Sequence, residues 1–175
     1  MTRETAGGRR PGHRIVKVLV ALVMSSALVL IGAGSASANG HPPLPGDSGN
    51  GRRVVYSIGQ QRVWWVEHDN RVVNSYLVSG RAGTPAYGTY RVFSKSRYTT
   101  SLNGSARMEY MVRFTWGRTA AIGFHSIPVN RYGQPLQSEA QLGTPQSAGC
   151  VRQRWWDAAG LYDWAPIGTT VVVVK

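Results

Sequence analysis

The 175-residue chain contains one cysteine, and its surroundings predict chemistry. Cys150 closes a long segment rich in glycine and proline, and His125 opens the same segment. A lone cysteine is commonly a small core residue, and a lone histidine after an apolar strand is commonly buried. A thiol becomes a strong nucleophile when a base removes its proton, and an imidazole is a suitable base. Because one loop carries both residues at its two ends, we interpret them as nucleophile and general base.

The residues around Cys150 are of types that favour this chemistry. Gly149 lets the backbone approach a substrate closely and frees backbone N–H groups that could hold the oxyanion of a tetrahedral intermediate. A helix predicted to begin next to Cys150, together with the charges of Arg152 and Arg154, would favour the thiolate. Two other histidines follow residue 38, His41 in a Gly/Pro-rich segment and His68 in a polar turn. Neither is a candidate for the site.

The elements that position these residues are mainly strands. Hairpins are predicted from 62–66 and 71–78 around the turn 67–70, and from 108–114 and 120–124 around the turn 115–118. Further strands are predicted at 54–56, 89–93 and 171–174, the last as a buried closing strand. A loop at 126–149 is long enough to be functional. One helix is predicted at about 153–164, with its apolar face formed by Trp155, Ala158, Ala159 and Tyr162.

The first 38 residues are typical of an export signal. Five basic residues precede the apolar run Val18–Ile31, and small residues ending in Ala36-Ser37-Ala38 follow. This order predicts a secretory signal peptide. The run is fourteen residues long and contains Ser25 and Ser26, whereas a spanning helix needs about 20 apolar residues. Residues 39–51, rich in Gly and Pro, predict a flexible spacer. We therefore expect the domain at 52–174 and the mature protein in the extracytoplasmic envelope or outside the cell.

The charge favours an anionic environment without specifying a partner. Without the signal, 15 Lys and Arg stand against 7 Asp and Glu, a net charge of +8. The basic residues are dispersed, and an exported protein meets anionic wall polymers first. Nucleic acid is not an expected partner, and a secreted nuclease would need a clustered acidic or histidine set that this sequence lacks. Cys150 and His125 alone are too few for a zinc site, so no metal or cofactor is expected.

Several motifs together resemble one family. His125-Ser126, the segment Leu142-Gly143-Thr144-Pro145, and the run Ser147 to Arg152 are similar to the signature of the L,D-transpeptidase catalytic (YkuD) domain. The resemblance extends to residues 61–63, 80–90 and 168–173, and it spans about residues 52–174. It implies a single-domain β-sandwich of mixed sheets with one helix after the cysteine. The expected molecule is a monomer that needs no cofactor.

The resemblance also implies roles for individual residues. Cys150 would attack an amide carbonyl of a peptidoglycan stem peptide, and His125 would move the proton. Ser126 would orient His125, chiefly through its backbone carbonyl. Ser147, Gly149 and Arg152 would form the oxyanion and substrate pocket, with Arg152 contacting substrate or holding the loop. Carbapenem β-lactams are the expected inhibitors.

One departure from the family pattern keeps alternatives open. The family commonly has His between the Ser and the Gly, where this chain has Ala148. A non-catalytic wall-binding module is therefore an alternative to the transpeptidase, although binding alone does not need the thiol. The sequence also leaves the acyl acceptor open, because an amine gives a cross-link, water gives an L,D-carboxypeptidase, and a protein amine gives wall anchoring.

Cleavage of the predicted export signal can be tested on the secreted protein. When the full chain is expressed in a secreting bacterium, the exported protein should begin at or near Asn39, because Ala36-Ser37-Ala38 offers small residues to signal peptidase. Amino-terminal sequencing of the exported form measures this. A form that retains Met1 would contradict cleavage and favour a membrane anchor.

Overall fold

Ten strands and one helix form the part of the chain that the computed structural model describes, residues 1–2 and 40–175. All of them lie within the unit Ala33–Lys175. The predicted export signal lies outside the described residues, apart from its first two. The strands are β1 Arg53–Ser57, β2 Arg62–Val66, β3 Val72–Leu77, β4 Gly88–Arg91, β5 Ser94–Thr100, β6 Ala106–Trp116, β7 Ala121–Ser126, β8 Val129–Asn130, β9 Val151–Gln153 and β10 Thr170–Val174, and the helix is α1 Trp155–Trp164.

Two mixed sheets carry these strands. The first has the order β3-β2-β1-β10-β4, and β1 pairs with β10 in parallel. The second has the order β5-β6-β7-β9 with β8 beside β6, and β7 pairs with β9 in parallel. The remaining pairs are antiparallel and include both predicted hairpins, β2-β3 and β6-β7. The predicted fold class, mainly β with mixed sheets and a single helix, is confirmed.

The main core lies where the two sheets and α1 meet. Phe114 and Phe124 stack with ring centroids 4.9 Å apart, and Val151 is fully buried beside them. From the first sheet, Val54 and Val171 enter the same core. Burying one such side chain contributes about 1.5–3 kcal/mol. This packing fixes which face of β7 and β9 points inward, and therefore which face carries the candidate site.

The first sheet is apolar on both faces, and the segment before β1 covers the outer one. Leu44 packs against the cluster that contains Trp64 and Val172, and the Trp64 indole N–H donates to the Pro42 carbonyl at 2.9 Å. Arg53 is buried and donates to the Ser48 carbonyl at 2.5 Å. Residues 42–48, which belong to the predicted spacer, therefore pack against the first sheet in this structure. An exposed apolar sheet face needs a cover, and this segment provides it.

Strand β5 was not predicted, because its sequence lacks an apolar pattern. It lies at the edge of the second sheet, and none of its residues is buried. An edge strand with both faces partly solvated has no alternation for a sequence pattern to detect.

The helix begins later than predicted, and it buries only part of the predicted face. Strand β9 occupies residues 151–153, so α1 starts at Trp155. Its buried residues are Ala158 and Leu161, whereas Trp155 is 49% exposed. The small residue Gly160 is required beside the first sheet, since a Cβ there would lie 2.9 Å from the Trp65 ring. The small residues Ala158 and Gly160 let α1 approach the sheets closely. Trp155 and Trp156 are exposed, whereas Tyr162 and Trp164 are half-buried and pack against the core.

Gly123 on β7 permits the close approach of β6. A Cβ at this position would lie 2.4 Å from the Val112 carbonyl oxygen and 2.9 Å from the Arg113 Cα. The pairing of β6 and β7 also shifts register between Arg113 and Thr115, which bends β6 over this glycine. A side chain here would push apart the two strands that hold the candidate site.

Gly123→Ala should therefore destabilise the domain. We expect its free energy of unfolding to fall by about 1–3 kcal/mol, the usual cost of overpacking, in urea denaturation followed by tryptophan fluorescence. Gly46→Ala is the matched control, because a Cβ at Gly46 meets nothing within 4 Å. Equal free energies of unfolding for the two variants would contradict this and show that β6 moves to accommodate the added Cβ without destabilising the domain.

Candidate active site

The parallel pairing of β7 with β9 brings the two ends of the long loop together. Phe124 pairs with Val151 and both point into the core, so His125 and Arg152, the next pair, point to the opposite face. Cys150 directly precedes β9, and its sulfur lies 3.7 Å from the carbonyl oxygen of Ala121 on β7. With strands about 4.8 Å apart and about 3.3 Å of rise per residue, the Cα atoms of His125 and Cys150 lie about 8 Å apart. That separation is within the combined reach of the two side chains.

His125 is held in one tautomer. Its Nδ1 lies 2.6 Å from the Ser126 carbonyl oxygen, and a carbonyl only accepts, so Nδ1 carries the hydrogen. Nε2 is then the unprotonated nitrogen, which is the form a general base requires. Ser126 is itself fixed, since its Oγ accepts the Glu109 backbone N–H at 3.0 Å. The structure thus places the Ser126 carbonyl where the sequence analysis expected it.

The environment keeps the His125 imidazole neutral. The side chain is buried, and burial lowers its pKa to about 4. The positive charges of Arg152 and Arg113 contribute to this lowering of the pKa, whereas the Ser126 carbonyl acts in the opposite direction. At neutral pH the ring is therefore an uncharged base.

Burial raises the pKa of the Cys150 thiol. The sulfur lies 3.7 Å from the Ala121 carbonyl, to which the thiol donates. The Gly123 backbone N–H and the charges of Arg113 and Arg152 oppose the rise because they favour the thiolate. The predicted thiolate at a helix amino terminus is wrong, because β9 separates Cys150 from α1. The resting pair is a neutral thiol and a neutral imidazole.

Ser147 and Gly149 shape the turn before Cys150. The Ser147 hydroxyl donates to the Cys150 carbonyl and accepts the Gly149 N–H at 3.0 Å. The Ser147 N–H in turn donates to the Gly80 carbonyl at 2.9 Å. The Gly149 N–H is therefore occupied in this conformation, and an oxyanion role for the backbone N–H groups here stays a prediction. These two residues hold the nucleophile in place through the backbone.

Arg152 ties the long loop to the first sheet's edge. Its Nη1 donates to Gln137 Oε1 at 3.1 Å, and Gln137 donates to Ser79 Oγ at 2.6 Å. Ser79 and Arg152 also exchange two backbone hydrogen bonds of 2.9 Å. Of the two predicted tasks of Arg152, this geometry suits holding the loop. Arg154 pairs with Asp157 at 2.9 Å, so the sequence analysis was wrong to assign its charge to Cys150.

Arg113 is a site residue that the sequence analysis missed. It pairs with Gly123 across β6 and β7 and so lies on the face of His125. Beside it, Trp116 pairs with Ala121 and stacks on Phe93 with centroids 5.5 Å apart. Pairing the predicted hairpin residue by residue around the turn 115–118 would place Arg113 opposite Ala120, because β6 continues to Trp116 and the strand was predicted to end at residue 114. The register shift in β6 moves the partners by one residue, which a sequence pattern does not reveal.

Two further properties concern the described residues as a whole. Within residues 1–2 and 40–175, no group of three or more His, Cys, Asp or Glu is placed to hold a metal ion. In the same part of the chain, no helix has the length and apolar character needed to cross a membrane.

The raised pKa of Cys150 predicts slow alkylation at neutral pH. The rate of iodoacetamide labelling, followed by intact mass, should rise through a midpoint above the ordinary thiol value of about 8.5, because burial disfavours the thiolate. The same chain in urea is the control and should titrate near the ordinary value. A midpoint below 7 in the folded protein would instead indicate a thiolate–imidazolium pair.

Comparisons of the sequence and of the structure with known proteins indicate the same family. The model of the L,D-transpeptidase catalytic domain (YkuD) matches residues 51–173. A putative L,D-transpeptidase, YciB, of Bacillus subtilis (strain 168) is 26% identical over 126 residues, which are 69% of this chain and 64% of that protein. The chain thus spans just under two thirds of this relative's length.

Solved structures agree in fold. The L,D-transpeptidase of Xylanimonas cellulosilytica DSM 15894 superposes with a TM-score of 0.58 at 25% identity, covering 79% of this chain and 67% of that one. The transpeptidase LdtMt1, solved in complex with imipenem, superposes with a TM-score of 0.56 at 23% identity, covering 72% and 60%. With the family model matching more than half of its residues, the chain belongs to the L,D-transpeptidase catalytic domain (YkuD) family.

Proposed function

We propose that this protein is a cysteine acyltransferase that cross-links peptidoglycan stem peptides through a Cys150 thioester. The observation that carries the proposal is the placement of His125 on β7 and of Cys150 directly before β9, the adjacent parallel strand. His125 there presents an unprotonated Nε2, because the Ser126 carbonyl holds the hydrogen on Nδ1. Binding alone would need neither the thiol nor a fixed tautomer.

In the first half-reaction, the thiol attacks the carbonyl that precedes the terminal D-residue of a donor stem. His125 Nε2 takes the thiol proton as the sulfur–carbon bond forms, so the imidazolium and the oxyanion develop only as the thiol attacks. The tetrahedral intermediate then expels the terminal residue as an amine, which receives the proton from His125. The products are a thioester on Cys150 and a free D-amino acid.

In the second half-reaction, an amine of a neighbouring stem attacks the thioester. His125 accepts a proton from this amine and returns one to the sulfur as the carbon–sulfur bond breaks. The neutral resting state suits this cycle because His125 must serve as a base twice. Water in place of the amine would give an L,D-carboxypeptidase, which is the alternative outcome for the same thioester.

The proposed location is the extracytoplasmic envelope, where stem peptides occur. The signal-like segment supports export, and the net charge of +8 after residue 38 suits contact with anionic wall polymers. We further propose that carbapenems acylate Cys150, since the related LdtMt1 was solved in complex with imipenem. The strained lactam carbonyl would take the place of the donor carbonyl.

Substitutions at the pair test the proposal. Incubation with imipenem should add one drug mass to the native protein in an intact-mass time course. Cys150→Ala should form no adduct and no cross-linked stem dimer, and Cys150→Ser should be nearly inactive because a hydroxyl is a far weaker acid. His125→Ala should slow the adduct by about 10²–10⁴-fold, the usual contribution of a general base. Turnover by Cys150→Ala would refute the mechanism.

Ala148→His separates the enzyme from a wall-binding module. If Ala148 only shapes the pocket, this variant should keep the imipenem adduct and change its rate by roughly ten- to a hundredfold, the worth of one hydrogen bond in a dry site. If the native protein stays unmodified while Ala148→His is acylated, the native site is disabled. The binding module would then replace our proposal.

A further inference from the structure

Arg113 presents a cation on the catalytic face, held only by neutral groups. Its guanidinium donates to Ser96 Oγ and Thr99 Oγ1 at 2.9 Å, and to Ser94 Oγ at 3.4 Å. All three hydroxyls belong to β5, the edge strand on the far side of β6. Three hydroxyls fix the orientation of the planar guanidinium but leave its charge uncompensated.

No carboxylate pairs with Arg113 in the described part of the chain. The ion pairs there join arginines to Glu67, Asp69, Glu109 and Asp157. A partly buried cation loses solvation, and an anion that binds beside it recovers this loss. The uncompensated charge therefore marks a place for an anionic group that the protein itself does not supply.

The position of this cation relative to the nucleophile limits what the anion can be. Arg113 lies opposite Gly123, whose backbone N–H favours the Cys150 thiolate, and its charge acts on both Cys150 and His125. An anion bound here therefore lies close to the bond that breaks. In a donor stem, the nearest anion is the carboxylate of the terminal residue, whose carbon lies within about 4 Å of the attacked carbonyl carbon by ordinary backbone dimensions.

Arg152, the other cation on this face, is less suited to the task. Its guanidinium donates to Gln137, and its backbone is fixed to Ser79. These contacts belong to the anchoring of the long loop. Arg113 is tied to a sheet edge, so it provides a preorganised anion site that does not depend on the loop.

We propose that Arg113 binds the free terminal carboxylate of the acyl donor and so restricts the enzyme to stems that end in an unblocked residue. The inference rests on the proposed acyl transfer and adds the residue that selects the donor. A guanidinium matches a carboxylate through paired N–H donors, which gives both charge and geometry. After cleavage the same carboxylate leaves with the released amino acid.

The test compares two donors that differ only in this group. One is a tetrapeptide stem with a free terminal carboxylate, and the other is its carboxamide. Thioester formation on Cys150 is followed by intact mass to give kcat/KM for each donor. The native protein should prefer the carboxylate roughly ten- to a hundredfold, as expected for one charge-assisted contact. Arg113→Gln should lose this preference by slowing the carboxylate donor much more than the carboxamide, and Arg113→Lys should retain part of it.

Arg107→Gln is the matched control, because Arg107 lies on the same strand with its side chain exposed, and it should keep the native preference. If the native protein shows no preference for the carboxylate donor over the carboxamide, the inference is overturned before any variant is measured. Equal slowing of both donors by Arg113→Gln would also overturn it and assign Arg113 to thiol activation. Failure of the native protein to form a thioester with either donor would instead refute the proposed function.

Discussion

The parallel pairing of β7 with β9 is the constraint on which the site depends. It brings His125 and Cys150 together because Phe124 and Val151, each next in sequence to one of them, pair across the two strands and are both buried in the core. Parallel strands cannot be joined by a tight turn, since the chain must return to the same end of the sheet. The long loop between them is thus a geometric requirement, and hydrogen bonds of Arg152 and Gln137 hold it in place.

The same burial determines the electrostatics. A dry site raises the pKa of Cys150 and lowers that of His125, so both partners rest uncharged. Arg113 and Arg152 act against this for the thiol, because their charges favour the thiolate. The site therefore does not have to stabilise an ion pair between Cys150 and His125 in its resting state. Its cations remain available for charge that arrives with a substrate or develops during reaction.

The first sheet supplies a rigid support for this arrangement. Strand β1 is buried along its whole length, since the core covers one face and the segment around Leu44 covers the other. Gly80 links this sheet to the site: its carbonyl accepts the Ser147 N–H, and its Cα lies so near the Tyr56 hydroxyl that a Cβ would clash. The turn that presents Cys150 is thus held by a sheet that does not itself carry the nucleophile.

The sequence by itself determined the family, the two hairpins and the closing strand, because motif spacing and apolar alternation are local properties. It did not predict β5, β9 or the packing of residues 42–48, which depend on partners far along the chain. It also assigned the thiolate to a helix end that β9 displaces. Only the tertiary structure decided the neutral state of the pair, the bound Gly149 N–H and the place of Arg113. Burial and strand register arise from contacts between distant segments, and a linear pattern does not encode them.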